Sequence, residues 1–574
     1  MQPFASPCVW GASEAPTVAG LPVALQRLLL VGGRGPGLVA ARDAALAGGV
    51  AVSGLADRLS LAVWEDAPLD SAAATMLARR QAGRPFLPPP LARIVAAVAA
   101  EAHPSGQDPE HRELAERRDV AGLARLFFDR LARTPEALAA AHGLATVAPM
   151  QDDSALLVAA ADRLAALPGA LAPLGLAVAG ELDLLAGRAA SAVTRLRACL
   201  AMVPWSGPFF PLAQALLAVG DRDGAATALS RLVAARPLDA LAVNRLQAVR
   251  QALDTQRVPV PGSVAVLLYT FDNASRLDRT LGTLAATDRA FVPAGGLRIF
   301  VLNNGCRDDT AAVLAAWRDR LGADLTVLTV PVNVGAPAGR NWLAAQPDVR
   351  AAAFAVYLDD DALVPPDWLG RFGAALARYP GAGVYGCRVR GANAPRFVQS
   401  ADGHLWPTPR RGAFQGRGFT LLRPWLHTPD WGAYGLTRPC ATVTGCCHLF
   451  PTDVLATTGG FDLRFSPTQY DDLDHDLRLL DQRLVPVCAG ELVVVHDKAT
   501  GATTNLGGPG YGSGFANQFK LHHKYDDAAL ARFADTAYAA LARDTAAKAR
   551  ELSGGAPTPW DLADQAIEED GHGR

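Results

Sequence analysis

The chain has 574 residues, of which 50% are hydrophobic and 19% charged, so it is several domains long and too apolar to be a largely disordered polymer. Lys and Arg total 54 against 56 Asp and Glu; the broad positive field that nucleic acids require is missing, and no nucleic-acid partner is expected. Only Lys498, Lys520, Lys524 and Lys548 are lysines, which excludes a Walker-type phosphate loop or a Schiff-base lysine from the rest of the chain.

Residues 1 to about 255 are rich in Ala, Leu and Arg, and apolar positions recur at helical spacing, as in Leu91, Ile94, Val95 and Val98. This half is predicted to be all-α, with a helical region over 1–165 and helical repeats over 166–255. Gly187, Ala192, Leu196, Leu200 and Pro204 recur 33 positions later as Gly220, Ala225, Leu229, Val233 and Pro237, a period of the tetratricopeptide kind. A plain helical bundle is the competing arrangement. Gly32, Gly33, Gly35 and Gly37 lack the dinucleotide-binding register, because Leu38 stands where its last glycine belongs, and they read as a loop.

Residues 256–262 carry two X-Pro steps and read as an extended linker. From Val264 short apolar runs alternate with amphipathic helices: Val264–Tyr269, Leu297–Leu302, Leu325–Val330 and Phe354–Leu358. Such alternation predicts βα units around a mainly parallel sheet, in which ligands collect beyond the carboxyl ends of the strands. The residues found there are Thr270 to Asn273, Asn303 to Thr310, Asn333-Val334-Gly335 with Arg340-Asn341, and Asp359-Asp360-Asp361. Three successive acids at a strand end repel one another and are costly to bury without a cation. On an extended chain Asp359 and Asp361 share one face, which suits a hard divalent ion and sugar hydroxyls, whereas a solvated turn before Pro365-Pro366 is the ordinary alternative.

Several of these segments occur in the order and form of one known family. Tyr269-Thr270-Phe271-Asp272, Leu302-Asn303-Asn304-Gly305-Cys306-Arg307-Asp308, Asn333-Val334-Gly335 through Arg340-Asn341, and Tyr357-Leu358-Asp359-Asp360-Asp361 with Pro365 and Trp368 resemble the motifs of a glycosyltransferase family 2 domain of the GT-A fold. So do Thr444 to Phe450 and Gly459 to Asp462, matched to an acceptor-side helix and turn, then Tyr470-Asp471-Asp472-Leu473-Asp474 and Val493 to His496.

The resemblance implies a domain over 262–525 and metal-dependent, inverting transfer of a sugar from a nucleoside diphosphate, a UDP-sugar being favoured. A glycan, lipid-linked saccharide or protein would accept it, in polysaccharide biosynthesis. It assigns Asp472 as general base with Asp471 beside it. Tyr269, Phe271, Asp272, Asn303, Asn304, Arg340, Asp359 and Asp360 become substrate-binding residues, and Asp361 and His496 ligands of manganese or magnesium. Asn303 stands where the family often has Asp, and Asp471 where it usually has Glu. The rival is a non-catalytic helical-repeat scaffold with an inactive, nucleotide-binding transferase domain; keeping all these acids together argues against it.

Further along, residues 391–440, with Trp406, Trp425 and Trp431, read equally as sugar-stacking platforms or as a packed insertion, and 501–514 as a glycine-rich lid that brings Lys520, His522, His523 and Lys524 to the diphosphate. A helix and flexible tail are expected over 526–574. The eight cysteines form no C-x-x-C pair and read as reduced thiols. No apolar stretch reaches the ~18 residues of a membrane span, and Glu14 is the first charge. A soluble cytoplasmic protein with at most peripheral membrane association is expected.

Overall fold

The computed structural model describes residues 16–49, 53–101, 108–392, 394–408, 418–426, 428–497 and 509–561. Its contacts divide the chain into two units, one of Met1–Gln251 with His427–Ala433 and Thr545–Arg574, the other of Ala252–Leu426 with Tyr434–Asp544.

Helices account for the first unit through Arg250, as the periodicity predicts. Several start at an aspartate whose carboxylate accepts first-turn amides, including Asp70, Asp119, Asp153, Asp221 and Asp239, which satisfies donors that a helix cannot pair internally. The 33-residue repetition is realised as two helical hairpins, Ala172–Leu185 with Ala189–Met202 and Phe209–Ala218 with Arg222–Ala235. Gly187 and Gly220 take left-handed conformations in the turns, at φ of 76° and 83°. Ala192, Leu196, Ala225 and Leu229 are fully buried beyond them. Gly32 to Gly35 connect helices Val23–Val31 and Pro36–Ala47, while Gly37, expected in the loop, lies in the first turn of the second helix.

Among the described residues the second unit has twelve strands: β1 (Val264–Thr270), β2 (Leu297–Asn304), β3 (Leu325–Val330), β4 (Phe354–Leu358), β5 (Ala362–Leu363), β6 (Tyr385–Gly391), β7 (Ala394–Ser400), β8 (His404–Pro407), β9 (Phe419–Leu422), β10 (Thr437–Pro439), β11 (Cys447–Pro451) and β12 (Val487–His496). The main sheet runs β10-β12-β6-β11-β4-β1-β2-β3. Pairing is parallel along β4-β1-β2-β3 and between β12 and β6. β11 joins β4 and β6 antiparallel, and β5, β7 and β10 add shorter antiparallel edges. Helices cover both faces of the parallel part, so its strands are continuous apolar runs, with Val266, Leu268, Ile299, Val301 and Val356 almost wholly buried. The extended residues 256–262 are tied to this unit by Val258 N–H to Gly370 O (3.0 Å) and Val260 N–H to Phe291 O (2.9 Å).

The structure corrects one local expectation and decides between two readings of another stretch. Residues matched to an acceptor-side helix instead supply β11, and the helix follows at Thr452–Thr458. Within 391–440 Trp425 is buried and donates its indole N–H to Asp402 O (2.7 Å), and Trp431 is buried as well, so neither is a platform for sugar rings. Residues 409–417 of that stretch, 501–508 of the expected lid, and the acidic tail at Glu568, Glu569 and Asp570 lie outside the described residues. The lid segment continues as helix Pro509–Lys524.

Candidate functional site

A cleft of about 510 Å³ opens at the carboxyl ends of the parallel strands and is lined by residues from six segments of the second unit. After β1 the chain turns at Asp272, a non-glycine residue at φ 47°, whose carboxylate accepts from Arg307 N–H (2.6 Å). Phe271 is left 45% exposed at the rim. Asn303 and Asn304, at the end of β2, fix loops. Asn303 Oδ1 accepts from Cys306 N–H (3.0 Å), while Asn304 donates to Asn333 Oδ1 (2.9 Å) and accepts from Val334 N–H (2.9 Å). Asn304 lines the cleft; Asn303 does not.

The acidic trio does not continue as a strand. Ala362 N–H bonds back to Asp359 O (3.1 Å), yet the turn keeps Asp359 and Asp361 on one side. His496, the last residue of β12, presents Nε2 at 3.0 Å from Asp361 Oδ1 and 3.8 Å from Asp359 Oδ2. Asp360 leans the other way, accepting from Asn273 Nδ2 (2.9 Å). Burial, with help from Asp361 and Asp359, pushes its carboxyl up to about 7.

Across the cleft, helix Asp471–Asp481 begins after Tyr470, which sits at φ 70°. Its first turn carries two acids with different surroundings. Asp471 is 1% exposed and ion-paired with Arg340; burial raises its carboxyl, and Arg340 offsets part of that rise. Asp472 faces the cleft, with Oδ2 accepting from Gly445 N–H and Oδ1 from Leu473 N–H (2.9 and 2.8 Å). Arg340 is itself buried, between the rings of Tyr269 and Phe461 (5.5 and 5.2 Å to the centroids) and 3.8 Å from Asp359 Oδ1. Burial opposes its charge, but Asp471 and the neighbouring acids hold its pKa well above the ordinary value. The same burial raises the Tyr269 phenol. Leu473, Leu477 and Leu480 bury the inner face of the helix, and Asp474 pairs with Arg478 one turn on (3.3 Å).

Residues 261–500 match the family model described as "Glycosyltransferase like family 2". That segment is a glycosyltransferase family 2 domain. The O-antigen biosynthesis protein RfbC of Myxococcus xanthus is 28% identical over 247 residues, covering 42% of this chain and 18% of that protein, so the chain spans less than a fifth of that relative's length. Among solved structures, GalNAc-T7 with UDP, GalNAc and Mn2+ is 11% identical (TM-score 0.34; 42% of this chain, 45% of that one). The mannosyltransferase PcManGT from Pyrobaculum calidifontis, in complex with GDP-Man and Mn2+, is 17% identical (TM-score 0.33; 58% and 88%). TM-scores this low carry no argument about the fold or the substrates of this chain.

Within the family 2 domain the cleft brings together Tyr269, Phe271, Asp272, Asn304, Arg340, Asp359, Asp360, Asp361, Asp471 and Asp472. His496 joins it through Asp361. Lys520 and Lys524 do not take part. They are engaged by Arg464 O (2.7 Å) and by Asp462 (2.8 Å) and Asp474. His522 is buried against Phe419, and His523 stacks on Phe519. Two residues at the cleft went unrecognised as site residues. The Gly445 amide holds Asp472, and Cys446 offers its sulfur within 4.8 Å of ligand atoms on Asp359 and His496. Two carboxylates and an imidazole converging at the end of two strands form a donor set of the kind a divalent metal takes.

Proposed function

We propose that the chain is a metal-dependent, inverting glycosyltransferase that moves a sugar from a nucleoside diphosphate, a UDP-sugar in preference, to a hydroxyl of a glycan, lipid-linked saccharide or protein. The observation that carries this reading is the convergence of Asp359, Asp361 and His496 on one wall of the cleft and Asp472 on another. Asp361 and His496, with Asp359 adjoining, would hold a divalent ion whose positive charge offsets that developing on the leaving diphosphate.

The remaining chemistry falls to side chains of this chain. Asp472 accepts the acceptor's hydroxyl proton as the oxygen bonds to the anomeric carbon and the bond to the diphosphate breaks. Its two backbone hydrogen bonds fix the carboxylate and leave lone pairs for the incoming O–H. Asp471 is closed off by Arg340 and orients that guanidinium rather than acting as base. Arg340 contributes fixed positive charge beside Asp359, while Tyr269 and Phe271 offer faces for the base or sugar. The 28% likeness to an O-antigen biosynthesis protein favours a polysaccharide acceptor.

The test is sugar transfer or donor hydrolysis across UDP-, GDP- and dTDP-sugars with and without manganese. The reading expects metal-dependent turnover by the wild type and turnover lower by about 10²- to 10⁴-fold in Asp472→Asn. Full activity of Asp472→Asn removes the base assignment. Donor binding without turnover on any acceptor favours the scaffold alternative.

A further inference from the structure

Cys446 lines the cleft although sugar transfer needs no thiol there. It is 4% exposed, and its carbonyl accepts from Asp359 N–H (2.9 Å). The cause is the antiparallel register of β11 on β4, which sets Cys447 opposite Leu358. Successive side chains of an extended segment point to opposite sides. Cys447 accordingly meets Cys387, whose Sγ lies 3.6 Å from Cys447 O, while Cys446 turns toward the acids. A carboxylate oxygen of Asp359, the sulfur of Cys446 and a ring nitrogen of His496 all lie within 4.8 Å of one another. Ligand atoms bound at about 2.0 to 2.3 Å stand at most ~4.6 Å apart across one ion, so side-chain rotation closes this cluster on a single cation.

We propose that Cys446 is a thiolate ligand of the divalent ion, beside His496 and the Asp359 carboxylate. It would bias the site toward manganese, cobalt, zinc and cadmium over magnesium, because a soft sulfur donor gains little from a hard ion. On binding, the S–H bond breaks, the proton passes to solvent, and the sulfur pair forms the metal bond with no change of oxidation state. The inference rests on the metal-dependent reading above and adds a ligand that reading does not need.

Cobalt(II) titration of the full chain in the presence of UDP separates the two. The wild type should show both the visible ligand-field bands of bound cobalt and a near-ultraviolet thiolate-to-cobalt charge-transfer band. Cys446→Ser, which changes one atom, should keep the former, lose the latter and weaken cadmium binding on the order of tenfold, with magnesium little affected. Cys306→Ser should keep both bands. Ligand-field bands without charge transfer in the wild type, or charge transfer that survives Cys446→Ser, overturn the thiolate ligand and leave metal-dependent transfer standing. Absence of any bound-cobalt spectrum overturns both.

Discussion

The helical unit and the cleft of the second unit carry acidic charge in opposite ways. In the helical unit the buried acids Glu65, Asp57 and Asp183 each face arginines. Glu65 is bound by Arg236, Ser206 N–H (3.1 Å) and Ser206 Oγ (2.8 Å); Asp57 lies between Arg80 and Arg84; Asp183 faces Arg195 and Arg188 (3.1 and 3.5 Å). In the cleft six carboxylates, Asp272, Asp359, Asp360, Asp361, Asp471 and Asp472, share only Arg276 and Arg340 as cationic lining among the described residues. Those helical-unit charges are neutralised on the spot, whereas the surplus in the cleft is what the proposed divalent ion would offset.

Substitutions can break that contrast. The largest effect is expected at Asp472→Asn, with kcat lower by about 10²- to 10⁴-fold and donor affinity nearly unchanged by calorimetry. Glu65→Gln, in the helical unit, should do the reverse. It disrupts a buried pair and lowers unfolding free energy by about 3 kcal/mol in a denaturant titration, with turnover per folded molecule retained. At Gly445→Ala the new methyl would stand 2.9 Å from Arg340 Nη2 and 3.0 Å from Asp472 Oδ2, so kcat should fall about tenfold with little change in Tm.

Asp360 gives the most gradual effect. Its folded pKa of about 7 lies above the ordinary 3.8, so the folded state binds the extra proton. Its contribution to stability is complete below about pH 4 and is lost as pH rises to about 7, at ~1.4 kcal/mol per pH unit. Metal-free protein should show this slope and Asp360→Asn should flatten it; an unchanged slope removes the assignment.

Sequence alone located what parallel strands make visible. Strands buried on both faces are uninterrupted apolar runs, so β1 to β4 and the acids beyond β4 could be read directly. The helical half was legible from periodicity, and its 33-residue repetition from glycine and alanine spacing. Antiparallel registers left no such trace. The pairing of β11 with β4 is what carries Cys446 to Asp359, and nothing in Thr444 to Phe450 announces it. Asn303 and Asn304 each accept a loop amide, because amides beside a turn find backbone partners locally, and of the two Asn304 lines the cleft. Lys520 and Lys524 looked free for phosphate but meet Asp462, Asp474 and a carbonyl from a distant segment.

The most direct test of the central claim is anomalous diffraction at the manganese edge from crystals of the chain grown with manganese and UDP. The account predicts one strong peak among Asp359, Asp361 and His496, with the diphosphate against it. A peak elsewhere, or nucleotide bound away from these residues, would contradict it.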